Sequence, residues 1–211
     1  MRHLGTKALE TNRLVLRPFR ESDAQMMFNN WASDEEVTRY LLWFTHQEVE
    51  ETKDVVSAWV DLYGDRDYYH WALEHKVTGD LLGSIILFDM GPFFPLSRRY
   101  KAEVGYCLGR KWWGHGLASE AVAAIFEFSF LELGLKRLVA RHDHRNLASG
   151  RVMQKLQMSH TRFKKKAERG KDGKWIDCDF YRLDQKDYLK NRQMDERGFG
   201  NIFHRLENIL K

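Results

Sequence analysis

The chain has 211 residues, a length that fits one domain with a short appendage and allows a sizeable buried core. Its 34 basic and 30 acidic residues leave a net charge of +4, which does not indicate a nucleic-acid partner but suits a ligand with several phosphates. Its apolar runs are too short for a membrane span and its N-terminus lacks a signal-peptide core, so we expect a cytoplasmic protein with no membrane partner. The two cysteines and nine histidines show no metal-ligand spacing, so no metal is expected.

The N-terminal third combines a strand pattern with three helical patterns. The predicted elements are, in chain order, a strand at 13–19 and helices at 22–31, 34–43 and 45–63. Capping boxes led by Ser22 and Thr45 predict where the first and third helices begin.

The remainder of the chain is richer in strands. The predicted elements are strands at 69–75, 81–89 and 102–108, a helix at 116–133, a strand at 138–141, a helix at 146–158, and a hairpin of strands at 159–166 and 175–183. Strands and helices in this order predict a mixed α/β (α+β) fold.

The last residues form a separate unit in our interpretation. We divide the chain into a domain at residues 1–187 and a C-terminal helical extension at 188–211. Apolar residues of the extension recur with helical spacing: Phe199, Ile202, Phe203, Leu206, Ile209 and Leu210. Two interpretations of this stripe stay open, a helix that packs on its own domain and a contact that makes a homodimer.

The segment from Glu103 to Ala121 is the most informative part of the chain. A strand ends near Leu108, a turn with Gly114 and Gly116 follows, and a helix begins at once. Such a turn exposes backbone N–H groups at the positive end of a helix, where phosphate anions bind. Glycines between a strand and a helix also serve simply as turn residues, so this pattern alone leaves both interpretations open.

This segment resembles the pyrophosphate loop of the GNAT N-acetyltransferases. Its residues WGHGLASEA, beginning at Trp113, follow the family pattern Q/R-x-x-G-x-G/A. Three further segments resemble that family in the family's own order: TNRLVLRPFRESDA, GYCL and RHDHRNLASGRVMQKLQM. The resemblance covers residues 9–185 and points to the branch with the ribosomal-protein N-terminal acetyltransferases. It implies a mixed, mostly antiparallel sheet of six or seven strands, in which the fourth and fifth strands splay apart in a V at a bulge.

The chain departs from the family pattern at three positions. Trp113 replaces the usual Gln or Arg, which matters little for a loop that binds through N–H groups. Gln157 replaces a glycine in an expected left-handed helix cap, at a cost of about 1 kcal/mol. Met153 stands where some family members have a proton-donating Tyr, so another residue must supply that proton.

The resemblance implies acetyl-CoA as co-substrate and places its binding residues. The main chain of Tyr106, Cys107 and Leu108 is expected to pair with the pantetheine arm, as an added strand does. The expected pyrophosphate residues are Gly114, His115, Gly116, Leu117, Ala118 and Ser119. Asn146 either contacts the cofactor arm or caps the next helix, and both roles are compatible.

The implied reaction is direct attack of a primary amine on the thioester, which needs a base and a proton donor. Glu103 is the candidate base through a water molecule, or else a strand carboxylate that faces solvent. Ser149 is the candidate proton donor to the thiolate, or else part of the helix cap. His142 and Asp143 are an alternative base arrangement, or else a surface pair.

The acceptor is the least specified partner. Trp43 and Phe44 are candidate substrate contacts, because the family forms its acceptor wall near this part of the chain. A protein N-terminus, a small amine (an antibiotic, polyamine or amino-acid derivative) and a non-catalytic acetyl-CoA-binding module remain the three functional interpretations. The presence of a carboxylate at Glu103 favours an enzyme over the binding module.

Overall fold

The computed structural model describes residues 2–92 and 100–196, and these form one eight-stranded sheet with helices on both faces. The strands are β1 (Leu9–Glu10), β2 (Leu14–Arg17), β3 (Tyr69–His75), β4 (Leu81–Pro92), β5 (Tyr100–Leu108), β6 (Arg137–Asp143), β7 (Ser159–Arg169) and β8 (Trp175–Asp184). Their order in the sheet is β1-β2-β3-β4-β5-β6-β8-β7. Neighbouring strands are antiparallel except β5 and β6, which run parallel.

Six α-helices accompany the sheet in the described ranges. They are α1 (Ala24–Met27), α2 (Glu35–Thr38), α3 (Val49–Asp61), α4 (Leu117–Glu127), α5 (Leu147–Lys155) and α6 (Gln185–Glu196). Short π-helical turns continue α1 to Ala32 and α4 to Glu132. None of these helices has both the length and the apolar run that a membrane crossing requires.

The predicted mixed α/β, mostly antiparallel fold is confirmed, with one strand more than expected. The additional strand is the two-residue β1, which pairs with β2 and is too short to leave a periodic signal in the sequence. The left-handed backbone predicted at Gln157 is also present, with φ at 59°.

Three local predictions near the N-terminus are wrong, and in two of them nearby side chains form hydrogen bonds other than the expected helix caps. The first helical segment starts after Arg20, whose N–H donates to Asp23, and not after Ser22. The Thr45 hydroxyl pairs with Thr38 instead of capping a helix, and α3 begins at Val49. The second helix ends at Thr38 and does not reach residue 43.

The sheet separates two hydrophobic clusters. On β3, Trp71 packs in the cluster that contains α4, whereas the adjacent Ala72 packs in the cluster that contains α1 and α3. Alternation of this kind follows from the two-residue period of a strand. The α4 cluster also holds Phe126 and Phe128, which are almost fully buried.

The C-terminal α6 packs on the domain. Its Tyr188 is buried and lies with its ring centroid 5.0 Å from that of Phe130, and Arg192 pairs with Glu127 at 2.7 Å. The proposed boundary between residues 187 and 188 falls within this helix. The apolar stripe from Phe199 onward, and with it the homodimer prediction, lies outside the described residues.

The buried His70 on β3 is expected to make the fold sensitive to acid. It is 3% exposed between Phe19 and Trp59, and burial lowers its pKa to about 3 from 6.5. In the folded state it therefore stays neutral at pH 5, whereas in the unfolded chain it takes up a proton below pH 6.5. Stability from this residue is full above pH 6.5 and is lost as the pH falls towards 3.

We therefore expect His70→Gln to flatten the pH dependence of stability. Between pH 6.5 and 5 the wild type should lose about 2 kcal/mol more unfolding free energy than the variant. Urea unfolding at pH 7.5, 6.5 and 5 measures this difference. Parallel losses in the two proteins would show that His70 does not stay neutral in the fold.

Candidate active site

The candidate active site lies where β5 leaves β6. The two strands pair only over Lys101–Glu103 and Arg137–Val139, whereas β5 continues to pair with β4 as far as Leu108. The predicted V-shaped splay is thus confirmed, between the strands numbered β5 and β6 here. The irregularity near it lies in β4, where Asp89 has a φ of 49° and the register with β5 shifts.

A cavity of about 710 Å³ opens at the splay, large enough for a drug-sized ligand. It brings together most of the residues predicted for cofactor binding and catalysis. The predicted residues that line it are Tyr106, Cys107, Leu108, Gly114, Gly116, Leu117, Ala118, Ser119, Asn146 and Ser149. His115, Glu103, Trp43 and Phe44 are not among its lining residues.

The turn before α4 has the geometry of an anion site. Gly114 and Gly116 have φ values of 79° and 77°, a left-handed conformation that side chains disfavour. Gly116 is the N-cap of α4, and the Glu120 N–H donates to its carbonyl at 3.1 Å. The N–H groups of the first turn have no partner within the helix and lie at its positive end, which favours a phosphate.

A buried carboxylate holds this turn against the segment between β1 and β2. Glu120 is 3% exposed and accepts the Arg13 N–H at 2.9 Å, the Arg13 Nε at 2.7 Å and the Thr11 hydroxyl at 2.5 Å. Arg13 in turn donates from Nη1 to the carbonyl of His115 at 3.0 Å. His115 therefore contributes to the site through its main chain. The T-x-R segment at residues 11–13 thus supports the phosphate loop. The sequence did not reveal this role.

We expect Glu120→Gln to loosen the loop. The substitution removes the charge that faces Arg13, which should cost about 2 kcal/mol of stability and weaken acetyl-CoA binding about tenfold. Thermal unfolding and calorimetric titration measure the two effects. Glu127→Gln, on an exposed part of the same helix, is the matched control and should leave the acetyl-CoA affinity unchanged. An unchanged acetyl-CoA affinity in Glu120→Gln would show that the loop keeps its binding geometry without the ion pair between Glu120 and Arg13.

The cavity also has a basic side that sequence reasoning missed. Arg145, Arg151 and Lys155 line it, and the Lys155 Nζ lies 4.0 Å from where a Cβ on Gly116 would be. Three cations beside an N–H turn are suited to a ligand with several phosphates. The available signal was the spacing of Arg151 and Lys155, which places them one helical turn apart.

Tyr106, Asn146 and Ser149 meet at the start of α5. The Asn146 side chain accepts the Ser149 N–H at 3.2 Å, so the predicted N-cap role is confirmed. The hydroxyls of Tyr106 and Ser149 lie 3.2 Å apart. Burial raises the pKa of Tyr106 to about 12, so the phenol stays protonated at neutral pH.

Glu103 lies at the point where the two strands separate. It is 6% exposed, so it is not a strand carboxylate that faces solvent. Arg141 contacts it at 2.9 Å and also binds Glu168 at 3.0 Å. Burial raises the pKa of Glu103, although Arg141 acts in the opposite direction. A carboxylate with a raised pKa is a stronger base once it is ionised.

His142 and Asp143 are buried and point to different partners, so they are not a surface pair. The His142 Nδ1 binds the main-chain carbonyl of Asp143 at 2.7 Å, and its Nε2 packs against Gly150. Burial opposes ionisation of Asp143, but hydrogen bonds from Arg145 hold the pKa of this carboxyl below its usual value. Neither residue lines the cavity.

The predicted acceptor residues Trp43 and Phe44 do not line the cavity. Trp43 packs against His46, with ring centroids 5.1 Å apart. Phe44 is 65% exposed and lies under the Lys171 ammonium, 5.8 Å from its ring centroid. Tyr40 and Leu41, from the same segment, line the cavity instead.

Comparison with known proteins agrees with this geometry. Residues 13–159 match the family described as the acetyltransferase (GNAT) domain. The chain belongs to the GNAT acetyltransferase family. Enzymes of this family are N-acetyltransferases that use acetyl-CoA as co-substrate.

Relatives of the GNAT family resemble this chain over most of its length. YoaA of Bacillus subtilis, named as an uncharacterized N-acetyltransferase, is 32% identical over 149 residues, or 70% of this chain and 80% of YoaA. The uncharacterized N-acetyltransferase p20 of Bacillus licheniformis is 30% identical over 182 residues, or 86% of this chain and 98% of p20.

Solved structures show the same fold. A GNAT-family acetyltransferase from Bacillus anthracis has a TM-score of 0.73 at 24% identity, covering 85% of this chain and 99% of its own. RimL, a ribosomal L7/L12 alpha-N-protein acetyltransferase in complex with coenzyme A, has a TM-score of 0.71 at 19% identity, covering 86% of this chain and 99% of its own. Among the described residues, no three His, Cys, Asp or Glu side chains cluster as metal ligands.

Proposed function

We propose that this protein transfers the acetyl group of acetyl-CoA directly to a primary amine. The observation that carries the proposal is one cavity with two features. At one end, the turn before α4 presents backbone N–H groups suited to phosphate, and along its wall, strand β5 has no partner on the β6 side. These are the two features that a ligand with a pyrophosphate at one end and an amide-containing arm at the other requires.

Acetyl-CoA fits the cavity in one direction. The pyrophosphate takes the first turn of α4 at Gly114–Ser119, with the Lys155 ammonium beside it. The pantetheine amides extend along Tyr106–Leu108, where β5 has no partner on the β6 side. The thioester then lies near the Tyr106 and Ser149 hydroxyls, which are 3.2 Å apart.

The chain's own groups suit direct attack. Glu103 takes a proton from the acceptor ammonium through a water molecule, because the carboxylate itself does not line the cavity. The neutral amine then forms the C–N bond to the carbonyl carbon. As the C–S bond breaks, its electron pair goes to sulfur, where the Ser149 hydroxyl donates a hydrogen bond.

For the acceptor we propose a protein N-terminus. The motif resemblance favours this choice, and RimL is an enzyme that its own name assigns to such an acceptor. A small amine and a non-catalytic binding role are the alternatives, and experiment distinguishes all three.

The proposed function is tested first by titrating the purified protein with acetyl-CoA and with desulfo-CoA in a calorimeter. Thiol release from acetyl-CoA is then followed with peptides that begin with Ala or Ser, with spermidine and with an aminoglycoside. Binding of both cofactors and thiol release with a peptide are expected. Release only with a small amine would replace the acceptor, and binding without release from any amine would favour the binding module.

A further inference from the structure

The Tyr106 side chain lies next to Ser149 at the cavity wall. The side chain is half-buried at the cavity wall, its ring packs against the cluster that contains α4, and burial raises the pKa of its phenol. Within residues 2–92 and 100–196, Ser149 is the hydrogen-bond partner of its hydroxyl, at 3.2 Å. Both residues line the cavity.

The choice of donor in this hydrogen bond follows from the partners that each hydroxyl has. Each hydroxyl has one hydrogen, and either oxygen is able to accept. If Ser149 donated to Tyr106, the phenol hydrogen would have no acceptor among the described residues, which costs about 1–3 kcal/mol where the hydroxyl is shielded from water. We therefore take Tyr106 as the donor, which leaves the Ser149 hydrogen free to turn towards the cavity.

The N-cap of α5 fixes the backbone of Ser149. The Ser149 N–H is bound to the Asn146 side chain, which sets the backbone of the first turn of α5. Asn146 holds the backbone of Ser149, and Tyr106 binds its side-chain oxygen. Because both contacts restrict the side chain, the hydroxyl hydrogen has only a narrow range of directions.

We infer that Tyr106 is a positioning residue that aims the Ser149 hydroxyl at the sulfur of the departing thiolate. This inference rests on the proposed function, because it concerns the breaking of the thioester. Tyr106 acts through Ser149 and does not itself contact the sulfur.

The step balances without ionisation of the phenol. The electron pair of the C–S bond moves to sulfur, and the Ser149 O–H donates a hydrogen bond to the new thiolate. The acceptor ammonium loses two protons in all. The first passes through water to Glu103 and on to solvent, and the second, which the nitrogen loses after it has bonded to carbon, finally joins the thiolate. Since a thiol is a much stronger acid than a phenol whose pKa is about 12, Tyr106 keeps its proton throughout.

The test is a double-mutant cycle with Tyr106→Phe, Ser149→Ala and the variant that carries both changes. Turnover is measured with acetyl-CoA and whichever amine of the panel gives the fastest thiol release. Tyr106→Phe is expected to lower kcat about tenfold and to leave the KM for acetyl-CoA within about twofold. The double variant is expected to match Ser149→Ala, because Tyr106 has no effect once the serine oxygen is gone.

A matched control is Tyr63→Phe. Tyr63 has a half-buried phenol whose pKa burial also raises to about 12, and it donates to the His70 carbonyl at 2.7 Å, away from the cavity. This variant should lower the melting temperature and leave kcat unchanged. This control shows how much of an effect comes from removing a phenol hydroxyl in general. Any further loss of kcat in Tyr106→Phe is then due to the missing hydrogen bond to Ser149.

The failures of the inference and of the proposed function are distinguishable. Wild-type turnover with an unchanged kcat in Tyr106→Phe, or with losses that add in the double variant, overturns the inference alone. Acetyl-CoA binding by the wild type without thiol release from any amine overturns the proposed function and the inference with it.

Discussion

Gly116→Glu is expected to abolish acetyl-CoA binding, with at least a hundredfold rise in Kd, or about 3 kcal/mol. The substitution acts in two ways. A side chain at a φ of 77° strains the turn before α4. The new carboxylate also extends towards the cations of Arg13 and Lys155, which lie 3.7 Å and 4.0 Å from its Cβ position. It would then occupy the anion site itself and repel the pyrophosphate.

The matched control for this variant is Gly79→Glu. Gly79 has a φ of 69° in the turn between β3 and β4, and no atom lies within 4 Å of its Cβ position. The control therefore carries the same new charge and a similar backbone strain at a site away from the cavity. Calorimetric titration should give it the wild-type Kd. A Gly116→Glu variant that also binds within twofold of wild type would place the pyrophosphate elsewhere.

The phosphate loop was predictable from the sequence because its parts are contiguous. A strand, a turn that needs positive φ and a helix N-terminus follow one another between Glu103 and Ala121, so local chemistry alone determines the geometry. The same holds for the hairpin of β7 and β8, whose turn residues are also neighbours in the chain. The left-handed backbone at Gln157 was expected instead from the family resemblance, in which a glycine stands at this position.

The contacts that complete the site were not predictable, because they join residues that are far apart in sequence. Glu120 binds Arg13, 107 residues away, and Tyr106 meets Ser149 at a separation of 43. Single-sequence patterns carry no record of such pairs. The wrong capping box at Thr45 has a different origin, because Thr38, in the segment just before it, binds the Thr45 hydroxyl in place of the expected helix N-terminus.

Glu103→Gln is expected to lower kcat by at least a hundredfold while acetyl-CoA affinity stays near wild type. Removal of a general base typically costs two to four orders of magnitude, about 3 to 5 kcal/mol. The amide keeps the size of the side chain, and Arg141 retains its second carboxylate at Glu168, so no buried cation is left unpaired. Thiol-release kinetics and calorimetry measure the two quantities.

Glu168→Gln is the control for Glu103→Gln. Each of these variants removes one carboxylate partner of Arg141, but only Glu103→Gln removes the candidate base. The kcat of Glu168→Gln at pH 8 should stay within a few-fold of wild type. Since the base works as a carboxylate, wild-type activity falls as the pH drops through its pKa, which burial raises above the usual glutamate value. The negative charge of Glu168 contributes to that rise, so Glu168→Gln should move the fall in activity to lower pH. Equal losses of kcat in the two variants would instead assign the effect to Arg141 and leave the base to be found elsewhere in the cleft.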